Sequence, residues 1–234
     1  MKRDVIAWAA ILKECGVKAA QIDVWAPIFA DVIGPETFSQ GDAELAPFLG
    51  QVLHESGMLT CMEENLNYSA ARIRQLGMAS PAGSRWRSLV SRADELGGNP
   101  VKFANAVYGG RLGNTEPDDG WRFRGSGPIQ CTGRSNFAEL ERITGIPLTT
   151  HPDLLRRAGP EALRVCIAWW EGHVPDGVMA SVQQVTKAVN GGSNLVVADA
   201  GFDGLALEVA ARGVRFADDG RVVAAAGEPW DALV

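Results

Sequence analysis

Two glutamates lie nine residues apart in the segment QVLHESGMLTCMEENLNYSA, residues 51–70, and both are candidates for acid–base chemistry. Glu55 follows an apolar helical stripe and precedes Gly57, whereas Glu64 follows a short linking segment. Half-burial against apolar side chains favours the protonated form of a carboxyl, as a general acid requires, while a second, ionised carboxylate can act as a general base. The alternative is a helix end followed by a solvated acidic loop.

The spacing of Glu55 and Glu64 places a condition on the fold. On a continuous helix, nine residues turn the chain through roughly 900° and advance it about 13 Å, which points the two carboxylates in opposite directions. If the helix ends at Gly57 and the chain folds back through residues 58–63, Glu64 can face Glu55 across a groove. Carboxyls roughly 6.5–9.5 Å apart predict inversion at a sugar, and about 5–5.5 Å predicts retention. The spacing leaves both distances open, and it leaves Glu63 as an alternative base.

Helical periodicity dominates the elements that must position these residues. Ile22, Trp25, Phe29 and Val32 form one apolar stripe, and residues 42–56 form another, for which Asp42 is the expected N-cap. A glycine-rich loop over residues 108–133 is long enough to predict a functional role. Further helices are predicted over residues 84–96, 100–107, 135–144, 160–173, 181–190 and 202–213, and short extended pieces at 58–63 and in RVVAAAG near the C-terminus.

Composition limits the class of protein. The chain has 234 residues, 46% of them hydrophobic, which predicts a single globular domain over residues 1–234, and its net charge of −6 argues against a nucleic-acid binder. The four cysteines and three histidines are too scattered for a zinc site, so we expect reduced thiols and no metal. The sequence shows neither a secretory signal nor an apolar run near the ~20 residues that span a membrane.

Charge is distributed unevenly along the chain. Residues 72–142 carry an excess of basic side chains, whereas the flanking regions are neutral or acidic. This excess predicts either an ordinary solvated face or a wall that faces an acidic polymer.

Several motifs occur in a fixed order: HESG, ENLNYSA, ANAVYGGRLGN, GWRFRGSGPIQCTGRSNF and VTKAVNGG. In this order they resemble the family 19 glycoside hydrolases, the plant-type chitinases, and more closely the lysozyme-like endolysins of bacteriophages and prophages in that family. The resemblance covers roughly residues 20–213. It implies a mostly α, lysozyme-like, two-lobed helical domain with a central substrate cleft, a short N-terminal helix, a C-terminal tail and no separate wall-binding domain.

The resemblance also implies roles for individual residues. Glu55 matches the general acid, Glu64 matches the general base, and Thr132 matches the hydroxyl that holds the attacking water. Gln130 and Asn190 match sugar-binding positions. Amides and a hydroxyl can bind sugar hydroxyls and N-acetyl groups without competing for the catalytic proton.

Three further residues are candidates for substrate binding. Tyr108 either lines the groove or anchors the glycine-rich loop, Trp121 is placed in that loop to stack on a sugar, and Asn67 either binds substrate or turns the backbone. The sequence also departs from the family pattern. Ser126 stands where the family has an arginine, Cys131 replaces a leucine and Phe137 replaces a tyrosine, and the family's arginine after NGG has no clear match, with Arg212 and Arg215 as possible substitutes.

The resemblance implies an endolysin that hydrolyses β-1,4 glycosidic bonds of bacterial peptidoglycan by inverting two-carboxylate catalysis and so lyses its host. A chitinase acting on N-acetylglucosamine polymers, a lytic transglycosylase and a non-catalytic wall-binding module remain alternatives. Two-carboxylate chemistry needs no metal or organic cofactor. We expect a monomer that binds peptidoglycan glycan strands, is made in the host cytoplasm without a signal peptide or stable membrane insertion, and reaches the periplasm and wall through a holin.

Overall fold

Helices make up most of the chain, as the periodicity predicts. A computed structural model describes residues 2–190, 214–216 and 222–224. The longer helices are α1 (Val5–Glu14), α2 (Ala19–Val32), α3 (Asp42–Glu55), α4 (Ala70–Ala79), α7 (Pro100–Tyr108), α9 (Arg134–Thr144), α10 (Pro160–His173) and α11 (Val182–Asn190). Single-turn helices are α5 (Arg85–Ser88), α6 (Ala93–Leu96) and α8 (Asp119–Arg122), and short 3₁₀ helices span Val90–Arg92, Pro152–Arg156 and Asp176–Val178.

Helix ends agree with the local signals at several positions. Helix α10 begins at Pro160 and α9 ends at Gly145, whose φ of 71° is the left-handed conformation that a glycine C-cap adopts. The Ser181 hydroxyl accepts from the Gln184 amide at 3.3 Å and so caps α11 as expected. The expected N-cap Asp42 is wrong by one residue: Gly41, with φ of 58°, is the N-cap, and Asp42 instead pairs with Arg3 at 2.8 Å.

The expected single helix over residues 84–96 is also wrong. The segment bends around α4 as α5, a 3₁₀ turn and α6. The contact is close, since a Cβ at Gly77 of α4 would lie 2.7 Å from the Trp86 carbonyl oxygen and 2.4 Å from Val90 Cγ2. The segment therefore follows the surface of α4 and does not continue as one straight helix.

A short hairpin lies near the C-terminus. Strand β2 (Val222–Ala224) falls within RVVAAAG, as predicted, and pairs antiparallel with β1 (Val214–Phe216). The expected helix over 202–213 and Arg212 lie outside the described residues, as does the side chain of Arg215. None of the helices in the described part of the chain is long and apolar enough to cross a membrane.

Three clusters of buried side chains hold the elements together. The first joins α1, α2, α3 and α10, the second joins the segment before α4 to α4–α7, and the third joins the glycine-rich loop to α9 and α10. Glu55 lies at the end of a helix in the first cluster, Tyr108 packs against the second, and the residues around Gln130 border the third. Their largest buried side chains are Trp8, Trp25, Phe29, Phe48 and Trp170 in the first, Ile73 and Phe103 in the second, and Phe123 and Phe137 in the third.

Candidate active site

The chain turns immediately after Glu55, the last residue of α3. Gly57, Met58 and Leu59 all have positive φ, at 55°, 61° and 63°. Positive φ is easily adopted by glycine but is costly for the two residues that follow it. Gly57 thus ends the helix as the sequence predicts, but residues 58–60 form a turn and not the expected extended piece, because Met58 and Leu59 are left-handed and the Thr60 amide bonds back to the Ser56 carbonyl.

Buried hydrogen bonds hold this turn. Ser56 is fully buried, its hydroxyl donates to the Val52 carbonyl at 2.7 Å and accepts from the Leu59 amide at 2.9 Å. The Cys61 amide also donates to the Ser56 carbonyl at 2.8 Å. Glu55 beside this turn is half-buried. Its carboxyl is therefore carried by a fixed helix end and is still open to solvent.

Glu64 is held by two elements that are distant in sequence. Its amide donates to the Gly125 carbonyl at 2.9 Å. Its carboxylate accepts from the Tyr108 hydroxyl, at 2.7 Å to Oε1 and 2.9 Å to Oε2, and more weakly from the Gly125 amide at 3.3 Å. Burial, and then the hydrogen bond to Glu64, raise the pKa of the Tyr108 phenol well above its usual range. Tyr108 therefore stays protonated and donates to Glu64.

Glu63 has a different partner. Its Oε1 accepts from Arg124 Nε at 2.7 Å and Nη2 at 2.5 Å, and the Arg124 side chain is only 8% exposed. The Arg124 guanidinium also lies 3.6 Å above the ring of Trp121 and donates to the Trp121 carbonyl at 2.7 Å. Because successive side chains of an extended chain point to opposite sides, Glu63 faces Arg124 while Glu64 faces Tyr108. The ion pair occupies Glu63, and the guanidinium covers one face of Trp121.

Gln130 lies beside Glu64, and Thr132 is bonded to Gln130. A Cβ at Gly125 would lie 2.8 Å from Gln130 Oε1 and 3.1 Å from Glu64 Oε2, so these two side chains approach the same glycine. Gln130 has a φ of 53° and its amide donates to the Gly127 carbonyl at 3.0 Å. The Thr132 hydroxyl donates to the Gln130 carbonyl at 2.9 Å. That hydroxyl keeps its lone pairs for a further donor such as water.

Arg156 is a neighbour of the site that sequence reasoning missed. It comes from the 3₁₀ helix Pro152–Arg156, and its Nε donates at 3.0 Å to the hydroxyl of Ser126, which in turn donates to the Arg124 carbonyl at 2.7 Å. Burial and the nearby Arg124 lower the pKa of Arg156 to about 10. The available signal was Ser126, which stands where the resembled family has an arginine. Arg156 brings a guanidinium to this place from another segment.

Asn67 and Asn190 are the remaining predicted site residues, and Phe137 is one of the departures from the family pattern. Asn67 is exposed and lines an open cavity next to Glu64, and its amide donates to Asn65 Oδ1 at 3.0 Å. Asn190 is the last residue of α11, and its side chain lies outside the described residues. Phe137 is fully buried against Phe123, at 5.2 Å between ring centroids, and so belongs to the core.

Polar chemistry at the site comes from carboxylates, amides and hydroxyls. Within the described ranges, no group of three or more His, Cys, Asp and Glu side chains is placed to hold a metal ion. The four cysteines are free thiols, and burial raises the pKa of Cys131, next to Thr132, to about 12. Cys131 is therefore a buried, neutral thiol in the third buried cluster.

Comparison with known proteins identifies the family. No protein-family model matches the chain. It is 32% identical over 151 residues to a protein of Haemophilus influenzae described as a glycosyl hydrolase family 19 domain-containing protein, a match that covers 64% of this chain and 71% of that one. An endochitinase of Arabidopsis thaliana is 29% identical over 73 residues, 31% of this chain and 26% of the plant protein.

A shorter match has a different character. A UDP-N-acetylenolpyruvoylglucosamine reductase of Saccharopolyspora erythraea is 54% identical over 50 residues, 20% of this chain and 14% of the reductase. Because the match covers so small a part of the reductase, it gives no information about the reaction of this chain. The Haemophilus match spans most of both chains, and by it the chain belongs to glycoside hydrolase family 19, as a chitinase-like enzyme that hydrolyses glycosidic bonds.

Proposed function

We propose that the chain is an endolysin that hydrolyses β-1,4 glycosidic bonds of bacterial peptidoglycan, with Glu55 as general acid and Glu64 as general base. One observation carries the assignment of the base. Of two adjacent carboxylates, Glu63 is committed to Arg124, whereas Glu64 is oriented by Tyr108 and lies beside Gln130. The left-handed turn that begins at Gly57 ends the straight helix and so allows a groove with Glu55 on one side and Glu64 on the other.

The proposed reaction is a single displacement. Glu55 donates its proton to the glycosidic oxygen as the bond from that oxygen to C1 breaks. Glu64 takes a proton from a water that attacks C1 from the opposite face, so the configuration at C1 inverts. The Tyr108 hydroxyl and the Gly125 amide use only part of the accepting capacity of the Glu64 carboxylate, which leaves lone pairs for the water. In this proposal Thr132 holds the attacking water and Gln130, which lies beside this carboxylate, binds the sugar.

The choice of peptidoglycan over chitin rests on two features. The motif series resembles the endolysin branch of the family more closely than the chitinases, and residues 72–142 carry an excess of basic side chains that suits an acidic polymer. Chitin is the competing substrate, since plant endochitinases are among the related proteins.

Fragment analysis tests this proposal. Purified peptidoglycan and chitin are digested with the wild-type protein and with the Glu55→Gln, Glu64→Gln and Glu63→Gln variants, and the fragments are analysed by mass spectrometry and by NMR of the fresh reducing ends. We expect soluble peptidoglycan fragments with α reducing ends from the wild type and from Glu63→Gln, and almost none from the other two. Anhydro-sugar ends would indicate a lytic transglycosylase, release from chitin alone would indicate a chitinase, and no release from either would indicate a wall-binding module.

Access to the wall is a separate part of the proposal. We infer that the protein acts as a monomer on glycan strands and reaches them from the host cytoplasm with the help of a holin. Expression in a Gram-negative host with and without a holin tests this. Lysis only when both are present is the expected result, and lysis at the same rate without the holin would contradict it.

A further inference from the structure

Residues that follow Glu64 in the sequence line an open cavity of about 470 Å³. Its walls are Asn65, Asn67, Tyr68, Ser69 and Arg72. The Tyr68 ring is fixed by Trp86 and Phe103, with ring centroids 5.7 and 4.9 Å away. The cavity thus combines amide and hydroxyl groups with one rigid aromatic wall and one cation, and we call it the Arg72 cavity.

The position of the cavity connects it with the candidate active site. Asn65 follows Glu64 directly, and Asn67 lies within about 11 Å of Glu64 because each residue extends the chain by at most ~3.6 Å. Tyr68, which lines the cavity, and Tyr108, which donates to Glu64, pack against the same buried cluster. A polymer held at Glu64 would therefore reach the cavity with a neighbouring sugar or its substituent.

Arg72 has a neutral side-chain partner, unlike Arg74 and Arg92 nearby. Its Nη1 donates to the neutral side chain of Gln75 at 2.8 Å. Arg74 on the same helix instead forms a salt bridge with Asp94, and Arg92 forms one with Glu95 at 2.9 Å. Among residues 2–190 no carboxylate forms a salt bridge with Arg72, so its guanidinium can pair with a carboxylate of a ligand in the cavity.

We propose that the Arg72 cavity is a subsite for the carboxylate-bearing substituent of the muramic acid sugars in peptidoglycan, and that Arg72 makes the enzyme prefer this polymer to chitin. The inference rests on the proposed function and deepens it. Chitin consists of neutral N-acetylglucosamine units, whereas muramic acid carries a lactyl group that ends in a carboxylate or continues into a peptide stem with carboxylates of its own. A guanidinium binds a carboxylate through paired hydrogen bonds, and the amides beside it suit N-acetyl and peptide groups.

Binding measurements separate this subsite from catalysis. The Glu55→Gln protein serves as background, so that tetrasaccharides stay uncleaved, and Arg72→Gln, Arg72→Lys and Arg74→Gln are added to it. The probes are a chitin tetrasaccharide, a peptidoglycan tetrasaccharide without stems, which has only lactyl carboxylates, and one with stems, which has only stem carboxylates. Dissociation constants are measured by calorimetry at low and at raised salt.

We expect Arg72→Gln to weaken binding of at least one carboxylate-bearing tetrasaccharide about 3- to 10-fold, with chitin tetrasaccharide unchanged, since a partly exposed ion pair contributes a modest amount. Arg72→Lys should recover part of the loss, and raised salt should reduce the difference. The probe that responds identifies the lactyl or the stem carboxylate as the ligand. Arg74→Gln is the matched control, because it removes the same charge from the same helix at a residue already paired with Asp94.

An equal loss on all three probes, no loss on any, or the same loss from Arg74→Gln would overturn the assignment of the cavity. These outcomes are distinct from failure of the proposed function, which is the absence of peptidoglycan cleavage by the wild-type protein. If the protein cleaves only chitin and yet binds the acidic probes through Arg72, the subsite assignment stands and the proposed endolysin function is wrong.

Discussion

Replacement of Tyr108 by phenylalanine isolates the contact that orients the candidate base. The variant keeps the ring that packs against the second buried cluster and removes only the hydroxyl that donates to both oxygens of Glu64, at 2.7 and 2.9 Å. The remaining contacts of Glu64 are the longer 3.3 Å bond from the Gly125 amide and the backbone bond to the Gly125 carbonyl. Tyr108→Phe should therefore loosen the carboxylate and leave the fold intact.

The expected size of the effect follows from the chemistry of the bond. A hydrogen bond to a charged group contributes about 1.5–3 kcal/mol, and the two contacts share one proton, so they count once. Loss of the full amount in the transition state would lower kcat about 10- to 150-fold. Water can replace part of the bond because Glu64 is only half-buried, so we expect a fall in kcat of about 10- to 30-fold with a small change in KM. Thermal stability should change by less than about 1 kcal/mol.

The assay is the initial rate of fragment release from labelled peptidoglycan, measured for the wild type, Tyr108→Phe, Glu64→Gln and the double variant. If Tyr108 acts through Glu64, the double variant should be no slower than Glu64→Gln alone. A wild-type rate in Tyr108→Phe, or independent and multiplying effects in the double variant, would refute this role. A rise in KM at unchanged kcat would instead support direct contact of Tyr108 with the substrate.

A pH series provides a second measurement on the same variant. Burial and Glu64 raise the pKa of the Tyr108 phenol in the folded state above its ordinary value of 10.0. The stabilisation that the protonated phenol gives to the wild type is therefore complete below pH 10 and decreases progressively above it. Tyr108→Phe has no phenol and therefore lacks this pH-dependent contribution to stability. The stability difference between the two proteins should therefore shift in favour of the variant as the pH rises above about 10.

Three further changes test the surroundings of the site. Glu63→Gln should lower the free energy of unfolding by about 1–3 kcal/mol, because it leaves the Arg124 guanidinium without its carboxylate partner, while kcat falls less than threefold. Chemical denaturation and rate measurements check both values, and a loss of rate like that of Glu64→Gln would refute the assignment. Gly125→Ala should displace the Glu64 carboxylate, because the added Cβ would lie 3.1 Å from Glu64 Oε2. We expect kcat to fall at least tenfold with little loss of Tm. A wild-type rate would contradict the close contact between Gly125 and the Glu64 carboxylate. Asp119 is almost fully buried, and its partner Arg134 lowers the pKa of its carboxyl. The ion pair therefore stabilises the fold at neutral pH, and this stabilisation is lost as the pH falls through the lowered pKa. Asp119→Asn should have a lower Tm than the wild type at pH 7, and the difference in Tm should shrink in acid; a difference that does not change with pH would contradict the role of the ion pair.

Local signals account for the helices that carry the site. Pro160 and the apolar stripe that follows it predicted α10 at its observed bounds, and Gly57 predicted the end of α3 after Glu55, because these features act on the backbone within one or two turns. The bend in residues 84–96 was missed because it results from the close approach of Gly77, a contact with another helix that periodicity does not register.

Long-range pairing explains what the sequence could not predict in the site. Glu63 and Arg124 lie 61 residues apart, and Arg156 and Ser126 lie 30 residues apart, so no spacing rule joins them. The assignment of Glu64 as the base was suggested by resemblance to a family, whereas the reason that Glu63 is unsuited to the task is its ion pair with Arg124. Only the folded arrangement of the glycine-rich loop beside residues 62–64 supplies that reason.

The register between these two segments therefore decides which glutamate can act. The Gly127 amide donates to the Met62 carbonyl at 2.8 Å and the Glu64 amide donates to the Gly125 carbonyl at 2.9 Å, on either side of the bridge between Glu63 and Ser126. A slip of one residue in an extended pairing exchanges the two faces of the chain. It would turn Glu63 toward Tyr108 and Glu64 toward Arg124. The two hydrogen bonds that flank Ser126 are thus as important for the proposed reaction as the carboxylates, because they determine which of two neighbouring, chemically identical side chains accepts from Tyr108.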